Sequence, residues 1–153
     1  MERKSREEAE RQAEGERRAR RAQARVEAKA LRLRARAAVA DAVLERLSDR
    51  LSGLVGEDRY PLVAEKLYRE ILPEIPPGNV VLRADERARE ALRSQVSDPR
   101  VRFEPLPGEE IGGVEASDES GAFLLRNTLR SRFRKARPLL LSEAWRRLPF
   151  PDE

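Results

Sequence analysis

Two hydrophobic patterns divide the chain. In the first 36 residues apolar side chains are few and nearly all Ala, whereas larger ones recur at helical or alternating spacing from about Val39 onward. No Pro precedes Pro61, and the strong helix formers Ala, Arg, Glu and Leu dominate as far as Gly53. The pattern predicts one helix over about residues 3–52, roughly 75 Å long at 1.5 Å per residue.

The predicted helix has a thin apolar stripe that repeats every 11 residues, or three turns. This period favours a gently right-handed supercoil with a second helix. Glu16 and Arg20 interrupt the stripe, and a lone helix held by i,i+4 ion pairs is the alternative. We assign the partner-helix interface to the part of the stripe formed by Ala24, Ala28, Leu31, Ala35 and Val39.

Larger side chains thicken the pattern toward the end of the long helix. They recur mostly at i,i+4 spacing, so we expect the helix to reach a globular head there and pack against it. Gly53 and Gly56 supply the stop signal. The sequence therefore predicts a coiled-coil stalk over 1–53 and a globular α/β head over 54–153. The thickened face consists of Val39, Val43, Leu47, Leu51 and Leu54.

The head shows alternating helical and extended patterns, which predict an α+β fold with a sheet of about four strands covered by helices. A strand that contains Pro105 is expected at a sheet edge. Asp85 and either Asn127 or Thr128 are helix caps, and Pro138 predicts a kink or brief break in the last helix. The predicted strands are 79–83, 101–105, 111–117 and 122–126, with a Gly-containing turn at 118–121, and the predicted helices start near 58, 85 and 128.

Charge is dense and unevenly spread along the chain. The 32 basic and 28 acidic residues give a net charge of +4, but the first 36 residues hold 13 basic and 7 acidic residues, a net +6. The remainder holds 19 basic and 21 acidic residues, a net −2. A basic arm can attract nucleic acid or anionic lipid. Acidic residues interleaved with the basic ones weaken such a field and favour a solvated helix surface.

Residues suited to catalysis are scarce. The chain has no Cys and no His, which excludes disulfides, thiolate nucleophiles, the usual zinc sets and the commonest general base. The pair Gly112-Gly113 lacks the phosphate-loop pattern and favours a bulge or a close backbone approach. Acidic residues near the 118–121 turn are typical of a solvated loop rather than a metal site. We therefore expect a non-enzyme with no catalytic, cofactor-binding or metal-binding residues and no small-molecule ligand.

The segment GGVEASDESGAFLLRNTLRSRFRKARPLLLSEAWRRL resembles the C-terminal signature of the E subunit of vacuolar/archaeal-type (V/A-type) ATPases. In that family a GGV strand, an acidic turn ending in Gly, a second strand and an NT-x-x-x-R helix start recur together. The matching head-motif residues are Gly112, Gly113, Val114, Asn127, Thr128 and Arg132. The long charged helix and the order of elements over 58–104 resemble the same plan.

The resemblance implies a peripheral-stalk, or stator, subunit of a rotary ATPase or ATP synthase that transports protons or sodium ions. Such a protein pairs its long helix with a helical G-type subunit, rests its head against the catalytic A and B subunits, and reaches the membrane sector indirectly. No apolar run approaches the roughly 20 residues of a membrane span, and no secretory leader pattern opens the chain, so we expect a cytoplasmic protein peripheral to the membrane.

Two alternatives remain open at this point. One is the stator protein of a flagellar or type III export ATPase, which has a similar layout of helical stalk and α/β head. Its stalk more often shows glycine-spaced repeats, which this sequence lacks. The other is a basic coiled-coil protein that binds nucleic acid. The interleaved acids and the lack of exposed aromatic residues argue against it, so no nucleic-acid partner is expected.

Overall fold

A computed structural model describes residues 2–148 and begins with one long helix. Helix α1 spans Glu2–Leu54, 53 residues, as the sequence predicts. It ends in two tight turns, in which the Gly56 and Glu57 amides donate to the Gly53 and Leu54 carbonyl oxygens at 3.0 Å. Whether a second helix supercoils around α1 stays a prediction, and so does the division of the chain after residue 53.

The head that follows α1 alternates helices and strands, which confirms the α+β class. Its sheet has the order β2-β1-β3-β4, with β1 and β2 parallel and the other neighbours antiparallel. Strand β2 lies at the edge of the sheet, as its Pro105 predicts. Proline has no amide to donate to a ladder, and an edge strand tolerates this because one of its sides has no neighbouring strand. The elements are α2 (Tyr60–Ile71), a short 3-10 helix (Leu72–Glu74), β1 (Val80–Ala84), α3 (Glu86–Arg93), β2 (Val101–Pro105), β3 (Gly113–Ser117), β4 (Leu124–Thr128) and α4 (Leu129–Arg147).

The core lies between one face of the sheet and helices α2 and α3. Alternate strand residues such as Leu82 and Val114 point to this face and are fully buried. Helix α2 contributes Tyr60, Ala64 and Leu67 to the same cluster. The other face of the sheet has charged and polar side chains together with Val81, which is 2% exposed.

Several element boundaries differ from the sequence prediction, and β3, predicted from Ile111, starts two residues later at Gly113. Strand β4 starts at Leu124, two residues late, since Asp118 accepts hydrogen bonds from Ser120 and from the Phe123 amide and so holds residues 118–123 as a longer loop. Helix α3 ends at Arg93 rather than near Val96. The β4 shift makes Asn127 a strand residue, so Thr128 alone caps α4.

Helix α4 runs through Pro138 without a break, which corrects one of the two outcomes predicted for that residue. Proline removes the amide that would bond the Arg134 carbonyl. Both Arg134 and Pro138 are exposed, so water can satisfy the freed carbonyl oxygen.

Helix α4 packs antiparallel along the second half of α1. Arg137 pairs with Asp41 at 3.3 Å, and the Arg36 guanidinium lies 5.0 Å from the centre of the Trp145 ring. The α1 residues buried in this packing are Ala40 and Leu44. The predicted contact face is right only at its C-terminal end: Leu51 and Leu54 are partly buried, whereas Val39, Val43 and Leu47 remain 42, 36 and 38% exposed.

Candidate subunit interface

The two glycines of the head motif lie where β3 meets β4, and both need to be glycine. Gly112 and Gly113 have φ values of +52° and +87°, which side chains rarely adopt. A Cβ on Gly113 would lie 2.5 Å from the Asn127 carbonyl oxygen and 2.9 Å from the Thr128 Cα. The close backbone approach predicted for this pair is confirmed, and the neighbouring chain is the other half of the same motif.

Asn127 and Arg132 form a polar bridge from β4 and α4 to helix α2. The Asn127 amide nitrogen donates to the Leu67 carbonyl at 2.8 Å and to the Glu70 carboxylate at 3.0 Å. Arg132 donates through Nε to the Asn127 side-chain oxygen at 2.8 Å and also pairs with Glu70. Asn127 is buried, so these bonds satisfy a polar group that would otherwise be costly to bury.

Thr128 fixes the start of α4. Its hydroxyl oxygen accepts from the Ser131 amide at 3.0 Å, while the Ser131 hydroxyl oxygen accepts from the Thr128 amide at 3.1 Å, which completes a capping box. The same Thr128 hydroxyl donates to Glu110, whose side chain is fully buried and also accepts from Arg134. The amides of Leu129 and Arg130 donate back to Gly112 and Ile111.

The structure thus brings all six head-motif residues together: Gly112 precedes β3, Gly113 and Val114 open it, Asn127 and Thr128 close β4, and Arg132 lies one turn into α4. Their bonds are to one another and to α2 and the loop before β3. Since α4 in turn packs on α1, the motif sets the angle between head and long helix. The arrangement is architectural, since the contacts of the motif join β3, β4, α2 and α4.

Tyr60 is a buried anchor that the sequence patterns do not predict. Its hydroxyl donates to Asp85 and accepts from the Gly113 amide at 2.7 Å, while Asp85 caps α3 through the Ala88 amide at 3.1 Å. This relay ties α2, α3 and β3 together. Burial, followed by the hydrogen bond to Asp85, raises the pKa of Tyr60 well above its usual value. No local pattern marks a tyrosine whose partners lie 25 and 53 residues away.

We expect the two tyrosines of the chain to resist ionisation in the folded state. Burial also raises the pKa of Tyr68, so the folded state favours both neutral phenols. Stability from Tyr60 is then complete below about pH 10 and is lost as pH rises above it. The variant Tyr68→Phe retains Tyr60 as its single tyrosine, and absorbance near 295 nm reports ionisation of that phenol. At about pH 11 we expect Tyr60 to be un-ionised in the folded variant and largely ionised in urea. Half-ionisation near pH 10 in the folded protein would contradict the burial argument.

The face of the sheet opposite α2 and α3 has a ladder of ion pairs in register across all four strands. Arg83 on β1 pairs with Glu104 on β2 at 3.2 Å and with Glu115 on β3 at 3.4 Å. Arg126 on β4 pairs with the other oxygen of Glu115 at 2.7 Å. Because the charges pair with one another, this face offers no free field of one sign.

The five assigned helix residues lie together on α1, far along the chain from the head motif. Ala24, Ala28, Leu31, Ala35 and Val39 are all exposed, and Leu31 is 68% exposed. Leu31 and the buried Ala40 are nine residues apart, about two and a half helical turns, and so lie on opposite sides of α1. The assigned line is therefore an apolar face that no described element covers.

A second apolar surface lies where α1 and α4 meet at the base of the long helix. It is a groove of about 340 Å³, with Arg50, Glu57 and Arg59 at its rim. Its floor is formed by Leu47, Leu51, Leu54, Phe133 and Leu140. Phe133 is only partly buried and faces α1 rather than the sheet.

Residues 2–148 show neither a cluster of metal-ligand side chains nor a bilayer-spanning helix. No group of three or more acidic residues in this range is placed to hold a metal ion. None of the described helices combines the length and the apolar character that crossing a bilayer requires. The features that stand out are a projecting helix with an uncovered apolar face and a head locked to it.

The chain is an α+β protein in which one long helix is joined to a small head. The model of the ATP synthase (E/31 kDa) subunit family matches residues 1–148, and the chain belongs to that family. A comparison with curated proteins finds no match. The family places the chain in a rotary ATPase complex with other subunits, generally in a non-catalytic role.

Proposed function

We propose that the chain is the stator of a V/A-type rotary ATPase or ATP synthase. In this role it holds the catalytic A and B subunits against rotor torque, as a non-catalytic cytoplasmic component peripheral to the membrane. Family membership supports the setting, and the uncovered face of α1 is the observation that carries the finer proposal.

The geometry of α1 suits a strut that needs a second helix. Helix α4 reaches only as far as Arg36, and all side chains over 3–29 are exposed. These 27 residues extend about 40 Å beyond the head. An isolated helix of this composition gains little from its ion pairs, which add a few tenths of a kcal/mol each. A G-type partner helix on the line from Ala24 to Val39 stiffens it and extends the support toward the membrane sector.

The head contributes a fixed end to this strut. The capping box at Thr128 sets α4, and α4 holds α1 through Ala40, Leu44 and the Arg36–Trp145 stack. Arg87 adds a hydrogen bond to the Val55 carbonyl at 2.8 Å, which ties α3 to the end of the long helix. Torque on the head is therefore passed to α1 through packed side chains rather than through a flexible hinge.

We test the partner face with two leucines that lie two positions apart. Leu31→Glu places a charge on the assigned face and should weaken binding of the G-type helical subunit by at least about tenfold, through loss of a buried leucine. Leu33→Glu makes the same change about 200° around the helix, on the side that faces α4, and should bind nearly as the parent does.

Titration calorimetry with the purified G-type subunit measures both variants, and circular dichroism checks that each stays helical. Equal loss in the two variants would show that the assigned face is wrong. Absence of binding by the parent chain would overturn the pairing itself.

A further inference from the structure

The charge on α1 is divided into two zones. Residues 2–16 hold four basic and six acidic residues, whereas residues 17–36 hold nine basic residues and Glu27 as the single acid. The interleaving of acids and bases expected for the whole arm is thus limited to its first part. The second zone has a net charge of +8 over about 30 Å of helix.

Most of the second zone's charge falls on one line, which we call the basic row. The row contains Arg18, Arg21, Arg25, Lys29, Arg32 and Arg36. Its five steps cover 18 residues, or 3.6 residues per step, which matches the helical repeat and keeps the row straight along the axis. Acidic side chains are absent from the row between its two ends.

The inner members of the basic row have no acidic partner among the described residues. Arg18 pairs with Glu14 at 3.4 Å, and Arg36 stacks on Trp145 of α4. Between them, Arg21, Arg25, Lys29 and Arg32 are exposed and form no ion pair within residues 2–148. Elsewhere among the described residues most exposed arginines form an ion pair with an acidic side chain. The positive charge of these four inner residues is therefore not neutralised within the chain.

The basic row borders the apolar partner face. Successive residues turn about 100° around a helix, which places the row about 90° from the line of Ala24, Leu31 and Val39. The opposite border of that face holds Glu27 and Arg34, and Glu16 and Arg20, which interrupt the apolar stripe, lie on the same side, so this flank has two acids and two bases. A helix packed on the apolar face therefore meets a purely basic flank on one side and a mixed flank on the other.

We infer that the partner is an acidic-flanked helix: its apolar face covers Leu31 and Val39 while a row of Asp or Glu side chains lies against Arg21, Arg25, Lys29 and Arg32. The inference rests on the proposed pairing function and adds the partner's chemistry. Charges that flank an apolar helical seam select the partner and its orientation. Because one flank is basic and the other is mixed, the partner helix binds with its acidic side toward the basic row.

Other occupants fit the surface less well. A nucleic-acid backbone would neutralise the row but would leave Leu31 and Val39 exposed beside it, at 68 and 42%. A second copy of this chain in register brings the same net positive charge to the same place. An acidic amphipathic helix covers both features with one surface.

The test compares two double charge reversals of equal size in the full-length chain. Arg25→Glu/Arg32→Glu reverses two members of the basic row, and the control Arg20→Glu/Arg34→Glu reverses two bases on the mixed flank. All four positions are exposed on α1, so neither variant disturbs the core. Binding of the purified G-type helical subunit is measured at about 50 and 300 mM salt, together with a 20-base-pair duplex DNA and vesicles that contain phosphatidylserine as competing probes.

We expect Arg25→Glu/Arg32→Glu to weaken partner binding by about tenfold at low salt, several times more than the control does. Raising the salt should weaken parent binding and shrink the gap between the two variants. Equal loss in both variants, or binding by the parent that is independent of salt, would overturn the acidic flank while leaving the pairing intact. Displacement of the G-type partner by duplex DNA or vesicles, or dimerisation of the chain alone in sedimentation, would also overturn it.

Discussion

Replacing Gly113 with Ala should cost the head at least about 3 kcal/mol of its stability. A Cβ at this position would lie 2.5 Å from the Asn127 carbonyl oxygen and 2.9 Å from both the Leu67 Cδ1 and the Thr128 Cα. Two of these atoms belong to the backbone of β4, so they cannot move without breaking the ladder between β3 and β4. The φ of +87° adds strain of its own.

Gly121→Ala is the matched control for this prediction. Gly121 has a similar φ of +76°, but a Cβ there would meet nothing within 4 Å. Its cost should be limited to the backbone term, about 1–2 kcal/mol. Urea unfolding followed by the fluorescence of Trp145 gives both values. Losses of equal size would mean that backbone conformation, and not the crowding against β4, accounts for the glycine.

Local patterns were enough to predict most elements of the head. Helix α2 with Pro61 in its first turn, the Asp85 cap and the edge position of β2 all follow from short-range rules of capping and proline placement. Strand β4 was misplaced by two residues because the Asp118 side chain, rather than the glycine, determines the loop. A side chain that bonds its own turn leaves a weaker sequence signal than a proline does.

The phase of α1 was harder to predict, for a physical reason. Apolar residues in this helix are mostly Ala and occur on every side, so several faces fit a helical period about equally well. The face that α4 buries, with Ala40 and Leu44, depends on where α4 lies, and that is set by contacts far away in sequence. Tyr60 was missed for the same reason, since its partners come together only in the folded head.

The head motif was recognised from its residues, and the structure supplies its physical cause. Gly113 lets β4 approach, Asn127 and Arg132 hold α2, and Thr128 starts α4. Each bond acts on the position of α4 relative to the sheet. The motif therefore fixes α4 on the sheet, and α4 in turn holds the long helix α1 where it joins the head.

Removal of residues 2–36 from the chain in the assembled complex should uncouple the motor. If the chain is the stator, ATP hydrolysis depends on the catalytic headpiece and should continue at a measurable rate. Ion pumping should fall to near background, because the projecting part of α1, the basic row and all of the apolar face except Val39 are lost. The head should survive, since the buried α1 residues Ala40 and Leu44 and the Asp41 partner of Arg137 are retained, and the Arg36–Trp145 stack is the α4 contact that is lost.

The measurement is a paired assay on reconstituted vesicles that follows ATP hydrolysis and the ion gradient in the same sample. A complex that lacks the whole chain is the reference, and it should match the truncated one in pumping while losing the docked head. If the truncated complex pumps as many ions per ATP hydrolysed as the intact complex does, the removed part of α1 bears no load. Hydrolysis that stops together with pumping would instead place the chain in the catalytic cycle, contrary to the stator proposal.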